Sequence, residues 1–380
     1  MMIDRVPFKD TKLSRLGLGA MRLPVKTMIK REANPLIDYK EAQKLVDYAI
    51  ENGINYFDTA YMYHVGKSEK FIGTALSKYP RDSYYLADKL PIWMCRKPAD
   101  MEKIFKTQLE RTGMEYFDNY LLHALDGKNF AKCEEFGAYQ FLKKKQEEGR
   151  IKNIGFSFHG TLEDLKTIVA AHHWDFAQIQ LNYLDWTNQK AKEQYDILTD
   201  AGIPVIIMEP VRGGKLAEVS KDIEAMLKKA KPEKSVASWA IAFCASLPNV
   251  VTILSGMNSI EQLNDNIETL TDFVPFTEKE NNICFNAASI MNKKSIVPCT
   301  GCDYCADCPK GIKISTIFSY YNQCANEECT EEESIEKYKA IPAENNASAC
   351  IECGKCASHC PQSIEIPQLL HGKVGEFFNK

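Results

Sequence analysis

Eight of the fourteen cysteines fall in two C-terminal runs, and each run ends in Cys-Pro. Cys299, Cys302, Cys305 and Cys308 precede Pro309; Cys350, Cys353, Cys356 and Cys360 precede Pro361. The second run has the C-x2-C-x2-C-x3-C-P spacing of bacterial [4Fe–4S] ligation, and the first is one residue shorter before its last cysteine. Three cysteines at this spacing can wrap a cubane from one tight loop, while the fourth thiolate comes from elsewhere. Two zinc sites or a disulfide framework are the competing readings. Disulfides are disfavoured because the N-terminal stretch MMIDRVPFKD lacks the apolar segment of a secretory signal.

A second set of ionisable residues recurs at regular intervals. Asp58, Lys89 and His123 each close a short apolar run, at intervals of 31 and 34 residues, and Tyr63 follows Asp58 by five positions. A tyrosine is a poor acid at neutral pH, with an ordinary pKa near 10. An adjacent lysine ammonium favours the phenolate and lowers that value. Asp58 can hold Lys89 charged and oriented, and His123 can orient a carbonyl or join the proton relay. Such a group suits protonation of a carbonyl oxygen while hydride reaches the carbon. Taken singly, each residue has an ordinary structural role open to it: a cap, an ion pair, a satisfied polar group.

The elements that would position these residues alternate up to about residue 275. Eight apolar runs read as buried parallel strands: RLGLGAM, NYFDTA, YYLADK, NYLLHA, NIGFSF, AQIQLN, PVIIME and VVTILSG. Helical patterns such as YKEAQKLVDYAIENG, ADMEKIFKTQLERTG and TLEDLKTIVAAHH lie between them. Eight strand–helix units of this kind predict an α/β fold, a (β/α)8 TIM barrel, whose strand C-termini converge on one pocket. An open doubly wound sheet is the alternative, but no Gly-rich nucleotide fingerprint follows the first strand. The expected organisation is a barrel over 1–275, a linker helix over 276–295 with Thr277 and Glu280 as a capping box, and a small cysteine-rich domain over 296–380. The acidic stretch 326–336 reads as a solvated helix or loop between the cysteine runs rather than a docking site.

The segments FDTAYMYHVGKSE, YLADK and YLLHA resemble the motifs of the aldo-keto reductase superfamily, and the likeness spans about residues 8 to 272. The resemblance implies NAD(P)H-dependent reduction of an aldehyde or ketone, with Tyr63 as general acid, Lys89 and Asp58 as its tuning pair and His123 as the orienting group. It also implies a nicotinamide cofactor across the top of the barrel. GFSFH is similar to the family's G-x-S-N, which assigns Ser157 to the cofactor, with Phe158 and His159 in place of the usual Asn. Gln180 matches the carboxamide-binding Gln, with Asn182 nearby. Met21, Asp58, Met208, Glu209, Val211 and Arg212 are further expected cofactor contacts; Lys215 is a further pyrophosphate candidate. LSGMNSIEQLNDN resembles the adenosine-phosphate loop and assigns Gly256, Asn258, Gln262 and Asn266. No Lys or Arg stands at Gly256 or Gln262, so a 2′-phosphate lacks charge-assisted bonds there and NADP is only narrowly ahead of NAD. Tyr61, Trp93, Phe158 and Trp186 would line the substrate side.

Residues 296–367 resemble a bacterial two-cluster ferredoxin. That likeness implies exchange of the fourth ligand between runs. One [4Fe–4S] cluster would be held by Cys299, Cys302, Cys305 and Cys360, the other by Cys350, Cys353, Cys356 and Cys308. The combination of barrel and cluster segment resembles an iron–sulfur branch of bacterial aldo-keto reductases.

Bulk properties narrow the alternatives. The 380 residues carry a net charge of −4, which argues against nucleic-acid binding, and no apolar run is long enough to span a membrane. Cys95, Cys133, Cys244, Cys284, Cys324 and Cys329 are scattered and read as packing residues. The expected setting is a reducing cytoplasm, with a small carbonyl substrate and room for a redox partner protein. The competing function is electron transfer, in which the barrel binds nicotinamide or a partner and the clusters move electrons. A scaffold with a relic barrel is a third reading, which the complete set of Asp58, Tyr63, Lys89 and His123 disfavours. Hydride carries two electrons and a cubane accepts one, which favours separate roles for the two parts.

Overall fold

The computed structural model describes residues 3–26, 36–293, 297–326, 328–362 and 364–379. All eight apolar runs form strands: β3 Leu16–Gly19, β4 Tyr56–Asp58, β5 Tyr85–Leu90, β6 Phe117–Leu125, β7 Ile151–Phe158, β8 Phe176–Gln180, β9 Val205–Met208 and β10 Val250–Ser255. They pair in parallel in chain order, and β10 pairs with β3, so the sheet closes into the expected (β/α)8 barrel. Closure removes both sheet edges and excludes the open doubly wound alternative.

Two earlier strands, β1 Arg5–Phe8 and β2 Thr11–Ser14, form an antiparallel hairpin that the apolar-run pattern does not announce. They are four residues each and carry charged side chains, so their alternation is too short to stand out. Phe8 and Leu13 of this hairpin share one buried cluster with Tyr56, Ala87, Leu121, Phe176, Ile206 and Leu254 from the barrel strands. The hairpin thus supplies apolar side chains to the barrel core.

That interior layer sets what lies above it. Strand side chains alternate between faces, so the residue two positions on points the same way. Counting two from Tyr56, Ala87 and Leu121 reaches Asp58, Lys89 and His123. Counting two from Phe176 and Ile206 reaches Gln178 and Met208. Polar and soft side chains therefore follow an apolar layer towards the strand C-termini.

The chain divides into two compact units, Met1–Pro210 with Ser238–Asn281, and Val211–Ala237 with Asn282–Lys380. In the first, Thr277 and Glu280 form the expected capping box: Thr277 N and Oγ1 each donate to Glu280 Oε2 at 2.7 Å. The helix Glu278–Lys293 follows. Residues 294–296, the end of the expected linker and the first residue of the expected cysteine-rich domain, lie outside the described residues.

In the second unit, buried Val297, Ile312, Ile314, Ile317, Phe318, Ile364, Ile366, Leu370 and Phe378 make a small core. Helices Ile314–Ala325 and Glu331–Lys339 connect the two cysteine runs. The acidic stretch is therefore helical for most of its length, with Glu327 outside the described residues. Thr330 and Glu333 form its capping box, and buried Ser334 donates to Tyr320 O at 2.9 Å. Among the described residues no helix is long and apolar enough to cross a membrane.

Candidate active site

Asp58, Lys89 and His123 come together because equivalent strand ends meet around the closed barrel. Lys89 is wholly buried, and its Nζ donates to Asp58 Oδ1 at 2.6 Å and to Thr59 O at 2.7 Å. Its remaining donor direction reaches Tyr63 OH at 3.4 Å, with Nζ 4.9 Å from the Tyr63 ring centre. An ammonium has three protons and no acceptor, so these three contacts account for it. Toward Lys89 the phenol oxygen is therefore an acceptor.

Burial pushes the Asp58 carboxyl up, and the charge and hydrogen bond of Lys89 pull it back. His123 is pushed well below its ordinary range, first by burial and then by the charges of Lys89 and His159. It is neutral at physiological pH. Its ring lies 6.2 Å from Tyr63 and 5.0 Å from Trp93, centre to centre. Burial also lowers His159 to about 4.

Tyr63 sits outside the strands, at the start of the turn Tyr63–Gly66. The backbone there is unusual: His64, Val65 and Gly66 have φ of 49°, 57° and 78°. Left-handed backbone is costly for a β-branched residue such as Val65.

The expected cofactor residues divide into three groups. Near the barrel mouth, Ser157 Oγ accepts from Ala124 N at 2.7 Å. Gln180 Nε2 and Asn182 Nδ2 both donate to Asp185 Oδ2, at 2.8 and 2.7 Å. Met208 Sδ is 3.5 Å from Gln178 Nε2, and Phe158 is buried. At the adenosine-loop position, Gln262 Oε1 accepts from Asn258 N at 2.9 Å, and Asn266 Nδ2 donates to Ser255 Oγ at 3.1 Å. Gly256 stands against Arg22, whose side chain would lie 3.2 Å from a Cβ placed there. Arg22 also reaches Glu209 Oε1 at 3.7 Å, and Met21 precedes it in the turn Ala20–Arg22. Val211, Arg212 and Lys215 belong to the second unit. Arg212 is buried there, and Lys215 Nζ donates to Val297 O at 2.7 Å.

Of the expected substrate-side aromatics, Trp93 is beside His123. Tyr61 lies under Arg111, with Cζ 4.5 Å from the ring centre, and Trp186 packs on Phe243 at 5.5 Å. Two residues near this mouth went unnoticed in the sequence. Gln178 is buried with no partner for Oε1, and Arg22 brings a cation to Gly256. The period-two count from Phe176 was the available signal for Gln178. None marked Arg22.

The eight cysteines of the two runs divide across the runs. One recess is lined by Cys299, Cys302, Cys305 and Cys360. Another is lined by Cys308, Cys350, Cys353 and Cys356. Ile314 lines both. Gly301 N donates to Cys299 Sγ at 3.4 Å. Among the described residues no group of three or more His, Cys, Asp or Glu is placed to hold a single metal ion.

Residues 15–288 match the Aldo/keto reductase family, so the match ends ahead of both cysteine runs. A probable aldo-keto reductase of Glycine max is 25% identical over 347 residues, covering 80% of this chain and 95% of its own. The NADH-specific methylglyoxal reductase of Escherichia coli is 25% identical over 308 residues, 69% of this chain and 91% of its own. The holo form of an aldo-keto reductase from Bacillus halodurans superposes with a TM-score of 0.62 at 23% identity, covering 75% of this chain and 96% of that one. An aldo-keto reductase from Klebsiella pneumoniae in complex with NADPH gives 0.58 at 22% identity, over 75% and 95%. With a closed parallel barrel and a match across most of its length, the chain belongs to the aldo/keto reductase family of nicotinamide-dependent oxidoreductases.

Proposed function

We propose that the barrel reduces an aldehyde or ketone with Tyr63 as the proton donor. The carrying observation is the ammonium of Lys89, shared between Asp58, Thr59 and the Tyr63 oxygen. A buried positive charge beside a phenol favours its anion and so makes the phenol a better acid. Asp58 balances that charge where no water can. His123, held neutral, cannot be the strong acid at this pH; it orients the carbonyl oxygen towards Tyr63.

Bound nicotinamide would supply the hydride. The residues fit it on two counts. Buried amides and carboxylates cluster at the mouth, with an unpartnered acceptor on Gln178. Arg22 stands beside Gly256, which lies a few residues ahead of the capped start of the helix Ile260–Leu270, an arrangement suited to phosphate. One relative is named as NADH-specific and one similar structure holds NADPH, so both cofactors remain candidates.

Residues 296–380 are read as a ferredoxin-like domain with two [4Fe–4S] clusters. Support comes from the two recesses, each lined by three cysteines of one run and the last cysteine of the other. Thiolates of a cubane bind separate irons around a cage, so a single-ion arrangement is not required of them. Bound there, each cluster would hold or pass one electron.

The test is anaerobic turnover of an aldehyde panel with NADPH or NADH. Tyr63→Phe should abolish reduction while cofactor binding persists; retained turnover overturns the assignment. Electron paramagnetic resonance on the iron-loaded protein decides the electron-transfer alternative. A reduced-cluster signal on adding nicotinamide favours it, and no signal with bound cofactor favours hydride chemistry alone.

A further inference from the structure

The Tyr63 turn is not explained by local preference. Its own bonds join only close neighbours in the chain: Tyr63 N donates to Ala60 O and Val65 N to Met62 O, both at 3.0 Å, and Lys67 N reaches Tyr63 O and His64 O. Two non-glycine residues hold left-handed backbone there, which persists only where the surroundings impose it. Something outside the turn must hold it.

Arg111, on the helix Ala99–Thr112, touches both ends. Its Nη1 donates to Tyr61 O at 3.3 Å, and its guanidinium stacks on the Tyr61 ring. At the far end the same guanidinium covers Gly66, where an added Cβ would lie 3.1 Å from Nη1. Nη1 also donates to Glu69 Oε2 at 2.7 Å, on the helix that follows the turn.

Glu69 is wholly buried, and beside it lies Asp88, also wholly buried. Glu69 Oε1 and Asp88 Oδ2 each lack an ordinary donor. One proton shared between them satisfies both atoms. Burial, then the charge of Glu69, pushes Asp88 well above the carboxylate range; burial raises Glu69 as well, but less, because Arg111 opposes it there. The proton therefore rests on Asp88, and Glu69 is the anion that faces Arg111. Asp88 Oδ1 accepts from Lys89 N and from Gln108 Nε2, both at 2.8 Å, and Gln108 Nε2 also donates to Lys89 O at 2.9 Å. A continuous chain of contacts thus joins the Tyr63 turn to the backbone of Lys89.

We propose that Arg111, acting through the Glu69–Asp88 carboxyl pair, is a positioning residue that sets the Tyr63–Lys89 geometry. This rests on the reading of Tyr63 as acid. The network touches neither Tyr63 OH nor Lys89 Nζ, so it acts only through placement.

The test compares Arg111→Met, Arg111→Lys, Glu69→Gln and Asp88→Asn in the full-length protein. In Arg111→Met, kcat should fall about 10- to 100-fold with the cofactor KM unchanged, because a small misplacement of a reacting group has that cost. Arg111→Lys keeps the charge for Glu69 and should recover part of the loss. Glu69→Gln removes the anion and should behave like Arg111→Met. Asp88→Asn still offers a donor to Glu69 and should stay within about twofold of wild type. Hydrogen exchange gives a readout independent of turnover: the Tyr63 and Val65 amides should exchange about tenfold faster in folded Arg111→Met. Unchanged exchange at these amides overturns the proposal, and so does faster exchange with kcat intact. A wild-type protein that reduces no aldehyde overturns the reductase reading, while the exchange arm still decides whether Arg111 holds the turn.

Discussion

Lys89 Nζ stands 2.6 Å from Asp58 Oδ1, with the lysine side chain wholly buried and the aspartate 4% exposed. Removing one partner of such a pair leaves an uncompensated charge, at about 3–5 kcal/mol. Asp58→Asn should therefore lose stability and activity together. Asp58→Asn/Lys89→Met should regain much of the stability but no turnover, since no ammonium remains beside Tyr63. Urea unfolding and kcat on the same samples check this. A double variant no more stable than Asp58→Asn would contradict it.

The crossed recesses make a specific prediction about iron. Cys299→Ala/Cys360→Ala removes two ligands from one recess and should leave about half the iron. Cys353→Ala/Cys360→Ala damages both recesses and should leave little. Iron assay after anaerobic loading reads the difference. If the second pair instead retains half, each run holds its own cluster.

Acid should destabilise the barrel through two imidazoles whose surroundings disfavour their charge. His159 is lowered to about 4, so between there and its ordinary 6.5 the unfolded chain binds the proton and the folded chain does not. Stability from this source is complete above pH 6.5 and is lost as pH falls towards 4. His123 adds in the same direction. Melting temperature followed from pH 7.5 to 4.5 should fall less steeply in His159→Asn than in wild type. Equal slopes would place His159 in a solvated setting.

Gly73, on the helix Lys67–Leu76, meets the helix Ala99–Thr112 with no room for a methyl group. An added Cβ would lie 2.0 Å from Thr112 O, a backbone atom. Alanine in a helix interior gains up to about 1 kcal/mol over glycine. Overpacking costs about 1–3 kcal/mol and backbone cannot step aside, so the clash wins. Gly73→Ala should lower unfolding free energy, and a stabilised variant would show that the helices slide apart freely. The same contact pairs the helix of Glu69 with that of Arg111, so kcat should drop with it.

The amino-acid order alone determined the barrel. Parallel strands buried on both faces must be continuous apolar runs, and each of the eight was visible as one. It also placed Asp58, Lys89 and His123 at equivalent strand ends, because one strand–helix unit has a nearly constant length. The two Cys-Pro runs and the Thr277 capping box are local patterns and needed no partner to be read. Tertiary structure alone decided the rest. Only the pairing of β4 with β5 and the turn that follows β4 bring Lys89 Nζ to Tyr63 OH, and only packing of two helices buries Glu69 against Asp88. Arg111 and Arg22 look like any exposed helix or loop cation until the fold places Tyr61 or Gly256 beneath them. Gln180 and Asn182 are engaged by Asp185, a neighbour that the strand pattern does not mark as theirs. The reason is common to all of these. Spacing along a strand is set by covalent geometry, whereas a side chain's partner across elements is set by which faces meet when the core closes.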